Sequence, residues 1–290
     1  MRNAMTVDVE DYFQVSALAP HIPRGTWDSI PCRVEGNVDK LLSLFAEHKT
    51  HATFFTLGWI AQRYPELVRR IVKGGHELAS HGHSHLRATE QSQAAFLHDI
   101  DRAKKLLEDI AGTEVSGYRA PSFSITAVNP WAFDCLQTAG YRYSSSVYPI
   151  AHDHYGIPDA PRFPYQARPG LLEIPISTLR AFGRNFPAGG GGYFRLLPYG
   201  VSRWAIQRFN TRERRPAIFY MHPWEIDPGQ PRVPGTGLKT RFRHYVNLQK
   251  TEARLARLLG DFQWGRVDEV FGIAASLGVE PRLRAAASAS

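Results

Sequence analysis

The stretch Gly75-His76-Glu77-Leu78-Ala79-Ser80-His81-Gly82-His83-Ser84-His85 puts four histidines within ten residues, around a short run, 77–80, that reads as a strand. His81 and His85 stand four apart, so one helical turn or a tight loop after the strand aims both imidazoles at one point. Neutral imidazole is the commonest protein ligand for zinc and related ions, and catalytic sites typically combine three protein ligands with an open position. A polar loop whose histidines merely cluster is the alternative. What decides between the two is whether the rest of the chain supplies matching parts.

Outward from that stretch, strands and helices alternate. Residues 5–9 read as a first strand by their β-branched content and end in Asp8-Val9-Glu10-Asp11. Three carboxylates in four residues repel one another unless a cation or an arginine intervenes, although a turn or helix start also favours aspartate. A helix opens near Gly36 through Leu41, Leu42, Leu44 and Phe45; a strand over 52–58 follows, and then a helix over 60–73 closed by Gly74-Gly75. Beyond the histidines, 91–111 predicts a helix whose apolar face is Phe96, Ile100, Ala103, Leu106, Leu107 and Ile110. Tyr118-Arg119 ends the next strand, and a helix over 129–139 is closed by Gly140.

This alternating order argues an α/β protein with a parallel sheet or barrel, its active face at the strand C-termini. Asp8, His81 and Arg119 each fall near such a strand end. Residues 148–165, proline-rich and including His152-Asp153-His154-Tyr155, show no period and predict a long loop over the sheet. A strand covers 171–176, and 201–209 is helical. The run 187–194 lacks the lysine and the strand–helix setting of a phosphate loop, and reads as a mobile turn or a close-approach segment. A last buried strand over 217–225 carries His222 out near its end, and 241–262 predicts a basic amphipathic helix.

Composition narrows the classes. The 290 residues are 43% hydrophobic and 21% charged, which suits a full core in one domain, and no internal repeat or linker divides them. No apolar run reaches the roughly 18 residues of a membrane-spanning helix, and the N-terminus lacks the apolar core of a secretory leader. Cys32 and Cys135 are too few for a disulfide framework. Together these predict a cytoplasmic protein. The net charge of +8 is spread along the chain apart from 212–215 and 241–244, with no recognition-helix or RNA-binding signature, so nucleic acid is not an expected partner.

The motifs taken together resemble the polysaccharide deacetylases of carbohydrate esterase family 4, and within it the group associated with bacterial exopolysaccharide and exosortase systems. The resemblance runs from Thr6-Val7-Asp8-Val9-Glu10-Asp11-Tyr12-Phe13 to Gln263-Trp264. It rests on Ser80-His81-Gly82-His83-Ser84-His85, on Tyr118-Arg119-Ala120-Pro121-Ser122-Phe123, and on Tyr143-Ser144-Ser145-Ser146-Val147-Tyr148-Pro149. Gly156-Ile157-Pro158-Asp159-Ala160-Pro161-Arg162-Phe163-Pro164 and Phe219-Tyr220-Met221-His222-Pro223-Trp224-Glu225 complete it.

The resemblance implies a distorted (β/α) barrel of about seven strands over residues 1–275, with a helical extension from about 240 and a disordered tail over 276–290. It implies a divalent metal, zinc foremost with cobalt or nickel as alternatives, held by His81, His85 and one carboxylate. Asp8 resembles the catalytic base, Arg119 the arginine that orients it, and His222 the general acid. The third ligand stays open. The common family pattern has two adjacent aspartates, a variant branch spaces base and ligand by one residue and so points to Glu10, and Asp11 is the other choice. Pro121, Tyr148, His154 and Trp224 are candidate substrate-binding residues. The implied reaction removes N-acetyl groups from the amino sugars of a polysaccharide or a lipid-linked glycan, with a peripheral membrane association compatible with the basic surface. Hydrolysis of a small cyclic ureide such as allantoin, and a carbohydrate-binding barrel without catalysis, are the alternatives.

Overall fold

The computed structural model describes residues 1–152 and 155–273. His154 and the tail over 276–290 therefore lie outside the described residues. The main sheet is built from β1 (Arg2–Val9), β2 (Thr53–Thr56), β3 (Glu77–Ser80), β4 (Gly117–Tyr118), β5 (Tyr143–Ser144), β6 (Tyr165–Arg168) and β7 (Leu171–Glu173). A separate antiparallel ribbon pairs β8 (Thr178–Ala181) with β9 (Arg184–Pro187), and β10 (Ile218–Met221) and β11 (Gln263–Gly265) return to the main sheet. Its order is β10-β1-β2-β3-β4-β5-β7-β6, with β11 beside β1. Every pairing is parallel except β6 with β7.

The expected distorted barrel is present, with β10, β1, β2, β3, β4, β5 and β7 as its parallel wall. The chain beyond β7 keeps hydrogen-bonding to the β5 side, Ile174 N to Ser144 O and Ile176 N to Val147 O. Ala188 N then donates to Ser177 O, Tyr220 N to Gly189 O, and Gly191 N to Tyr220 O, joining that edge to β10. The glycine run is this seam, which settles its reading as a close-approach segment. Gly190 has φ +106, and a Cβ there would run into Tyr220 O and the Phe219 ring, so only glycine lets the backbones approach.

Ten helices surround the sheet or cap its ends among the described residues. α1 (Val34–Glu47), α2 (Gly58–Arg63), α3 (Pro65–Lys73), α4 (Gln93–Ala111) and α5 (Trp131–Thr138) come first. α6 (Gly192–Leu196), α7 (Tyr199–Arg208), α8 (Leu238–Tyr245), α9 (Leu248–Asp261) and α10 (Val267–Val270) follow. α4 shows why they form. Ser92 Oγ accepts from Ala95 N at the start, Gly112 turns left-handed at the end, and Phe96, Ile100, Ala103 and Leu107 bury one face. Two expected helices are each split. Pro65 lacks an N–H and starts α3 afresh, while Asn247 at φ 54 separates α8 from α9 inside the expected 241–262 helix. Among the described residues no helix is long and apolar enough to cross a membrane.

Strand parity sets the contents of the barrel. Met5, Val7 and Val9 pack outward against the helices with Val38, Leu41 and Phe45, whereas Ala4 joins the lumen cluster of Phe55, Ala79, Tyr143, Ile176 and Tyr220. At the N-terminal end of the strands Glu77 is buried. Its carboxylate accepts from Thr53 Oγ1 at 2.5 Å, Tyr143 Oη at 2.8 Å and Asp268 N at 3.2 Å. Burial, reinforced by Asp268, pushes the Glu77 carboxyl up from an ordinary 4.5 to about 8. The folded state therefore holds a proton that the unfolded state releases, so this contribution to stability is complete below the ordinary value and is lost as pH rises towards 8. Glu77→Gln is expected to flatten the fall of the urea midpoint between about pH 5 and about pH 8. An unchanged slope in the variant would show that Glu77 does not carry it.

Candidate active site

The same parity that fills the lumen aims the polar residues of the C-terminal mouth. On β1, Thr6 and Asp8 occupy the lumen-facing register of Ala4, and Glu10 continues it one step past the strand. Asp11 falls on the opposite side. Its Oδ1 accepts from Tyr12 N at 2.8 Å, and its Oδ2 accepts from Arg33 N at 2.5 Å and Val34 N at 2.9 Å, capping the start of α1. Three backbone donors fix this carboxylate away from the histidines. Asp11→Ala is expected to cost about 1–3 kcal/mol by leaving those donors buried without an acceptor, read as a lower denaturation midpoint with metal content unchanged. Loss of metal at unchanged stability would return Asp11 to the ligand set.

Glu10, His81 and His85 are buried, and one ligand-type atom from each lies within 4.8 Å of the others. His81 follows β3, and its Nδ1 sits 2.8 Å from Arg119 O. That contact makes Nδ1 the protonated nitrogen and leaves the Nε2 lone pair free. His85 has φ 52, a left-handed conformation rare outside glycine, and Arg24 Nη2 donates to its carbonyl at 2.5 Å. The loop between them is clamped by Asp99 of α4, whose carboxylate accepts from His83 N at 2.8 Å and Ser84 N at 3.1 Å.

Glu10 Oε2 lies 2.6 Å from His85 Nε2, yet this buried oxygen lacks a donor in hydrogen-bonding geometry. An unsatisfied carboxylate oxygen against a lone-pair nitrogen repels unless a proton or a cation lies between them. One carboxylate and two imidazoles are a donor set that fits a divalent ion. Burial opposes ionisation of Glu10, but the imidazoles of His85, His222 and His81 outweigh it and hold the carboxyl at about 2. Burial also pulls the His81 imidazole down to about 4, keeping it neutral as a ligand must be.

Asp8 is paired with Arg119, which is fully buried. Arg119 Nη1 donates to Asp8 Oδ1 at 2.6 Å and to Thr6 Oγ1 at 2.8 Å; Nε donates to Ser145 O at 3.1 Å and Nη2 to Ser145 Oγ at 3.0 Å. The guanidinium also lies 4.1 Å from the centroid of the Phe55 ring.

Across the mouth, His222 leaves β10 with Nε2 3.4 Å from Glu10 and 3.9 Å from Asp8. Its Nδ1 is 2.7 Å from Glu225 Oε1, and Glu225 is in turn held by Arg195 of α6 at 2.6 Å. Burial disfavours charge on His222, but Glu10, Glu225 and Asp8 together push its imidazole up to about 9. The His222 side chain is 19% exposed against 4% for Glu10, so His222 lies nearer to solvent than the cluster it faces.

The described candidates for substrate binding are buried. Trp224 has both faces covered, stacking on His222 at 5.2 Å and on His244 at 4.4 Å, while its Nε1 reaches Glu10 at 3.4 Å. It is a wall of the site and offers no platform for a sugar ring. Tyr148 is fully buried among Phe123, Tyr155 and Tyr220, and Pro121 is buried beneath the mouth. Sequence reasoning passed over Glu225, Arg195 and Asp99. Glu225 stood in a quoted motif, three residues after His222, and that spacing was the available signal; nothing in the sequence marks the other two.

Residues 25–144 match the family model described as polysaccharide deacetylase. This match takes in His81, His85 and Arg119, while Asp8 and Glu10 precede it. Residues 145–272, which include His222, match a domain of unknown function (DUF3473). Curated proteins are similar over parts of their length. A Bacillus cereus peptidoglycan-N-acetylglucosamine deacetylase is 35% identical over 103 residues, covering 36% of this chain and 46% of the relative. A Bradyrhizobium chitooligosaccharide deacetylase is 28% identical over 141 residues, covering 49% of this chain and 58% of the relative. The chain thus spans about half the length of these relatives. A crystal structure assigned as a polysaccharide deacetylase from Mycobacterium smegmatis superposes with a TM-score of 0.61 at 18% identity, covering 99% of this chain and 94% of the other. At that identity the likeness is one of fold.

Proposed function

We propose that the protein is a metal-dependent N-deacetylase acting on the amino sugars of a glycan, with a bacterial exopolysaccharide or its lipid-linked precursor as substrate. The observation that carries this reading is the meeting, in one barrel mouth, of a carboxylate–arginine pair, a Glu10/His81/His85 cluster and an opposing carboxylate-held histidine. The curated relatives named as deacetylases support the reaction class. Zinc, cobalt or nickel on Glu10, His81 and His85 would supply Lewis acidity and a water of lowered pKa.

The rest of the chemistry belongs to the chain. Asp8, held by Arg119, is placed to accept the proton of an attacking water. His222 is placed to give its Nε2 proton to the departing sugar nitrogen, since an amide nitrogen leaves only when protonated. Water adds to the acetyl carbon, the C–N bond breaks, and acetate and a free amine result.

The test is acetate release from N-acetylglucosamine oligomers, together with elemental analysis of wild type and of the double variant His81→Ala, His85→Ala. About one metal equivalent with acetate release in wild type, and neither in the variant, is expected for a three-ligand site. A metal-free wild type after reconstitution, or hydrolysis of allantoin in place of the oligomers, would overturn the reading.

A further inference from the structure

We infer that the outward face of α8 is a docking surface for an anionic lipid membrane. This deepens, and rests on, the deacetylase reading, because it would bring the mouth to a glycan carried on lipid.

α8 has two sides with different tasks. Its inner side ends in buried His244 and Tyr245, and His244 stacks on Trp224, which stacks on His222. The helix is therefore separated from His222 by a single indole. Its outer side shows Leu238, 83% exposed, and Phe242, 57% exposed, four residues apart and so on one face. Neighbouring α6 adds exposed Leu196.

Along the chain, the charge that flanks these apolar side chains has one sign. Between Asp227 and Glu252 the sequence contains Arg232, Lys239, Arg241, Arg243 and Lys250 and no carboxylate. Arg241 is exposed on α8 next to Phe242, and exposed Arg232 lies over the ring of Tyr245 at the end of the helix. An exposed apolar pair flanked along the chain by cations suits the boundary between lipid headgroups and acyl chains, where the apolar side chains are buried and the cations meet phosphate. An acidic polysaccharide would use the cations but leave Leu238 and Phe242 without purpose. Another exposed apolar pair, Val201 and Trp204 of α7, differs. Arg203 beside it is paired with Asp261, and Arg208 lies over the Trp204 ring.

The experiment is flotation of the full chain with vesicles of phosphatidylcholine, with and without phosphatidylglycerol, compared with Leu238→Ser/Phe242→Ser and with Arg241→Glu. Wild type is expected to bind the anionic vesicles and to be released by salt, and each variant to weaken that binding by about tenfold or more. Acetate release from soluble oligomers should be unchanged in both variants, because neither change touches the mouth. Asp8→Asn should float like wild type, so a failed deacetylase reading and a failed docking surface give different results. Equal flotation of wild type and the double variant would overturn the proposal. So would failure to bind vesicles combined with binding to polygalacturonate that Arg241→Glu abolishes.

Discussion

Replacing Arg119 with methionine is expected to destabilise the protein by roughly 3–5 kcal/mol, the cost of breaking a buried ion pair from one side. The same change should lower deacetylation by about two to four orders of magnitude, the range that general-base catalysis supplies. The two losses share a cause. Arg119 is without solvent access, and four of its donated hydrogen bonds reach Thr6 and Asp8 of β1 and Ser145 beyond β5. Methionine fills similar volume but leaves Asp8 as a buried carboxylate with its nearest cation gone, and such a group takes up a proton. A protonated Asp8 cannot act as a base. Arg119→Lys separates the two effects, because it restores a charge but cannot fork to Asp8 and Ser145 at once. It should regain more stability than activity. Urea denaturation and acetate release measure the pair; a methionine variant with wild-type rate would remove Arg119 and Asp8 from the proposed mechanism.

How much of this was legible follows from the range of the interactions. The alternation of strands and helices is a local pattern, and a parallel sheet or barrel with Asp8, His81, Arg119 and His222 at strand ends came from it; the distorted barrel came from the family resemblance. The choice between Glu10 and Asp11 was open in sequence because two facts outside the motif decide it. One is strand parity, which carries Glu10 to the lumen side; the other is the start of α1, whose Arg33 and Val34 N–H groups engage Asp11 from more than twenty residues away. Arg195 and Asp99 were invisible for the same reason. Each looks like an ordinary helix-surface residue until tertiary packing brings it to Glu225 or to the histidine loop. Trp224 was a candidate substrate contact in sequence, and only the packing of α8 shows that its ring stacks between His222 and His244. The glycine run had no period to read, since its function is to let Gly190 approach Tyr220 across the seam.

His222→Ala is expected to lower the rate by about two to four orders of magnitude while metal content stays at the wild-type level, since it removes an acid and not a ligand. Glu225→Gln tests how that acid is prepared. The carboxylate sits 2.7 Å from His222 Nδ1 and favours the protonated imidazole, which ordinary burial would disfavour. With glutamine in its place the imidazole keeps an oxygen to bond but loses the negative charge, so His222 gives up its proton at lower pH. A rate that needs His222 protonated must then fall off at lower pH, and the alkaline limb of kcat/KM should move downward. Arg195, left without its partner at 2.6 Å, adds a stability cost that a melting curve reads separately. A stability loss with an unmoved alkaline limb would make Glu225 a structural partner of Arg195 alone. A shifted limb at near-normal metal content would identify Glu225 as the residue that sets the acid's proton affinity.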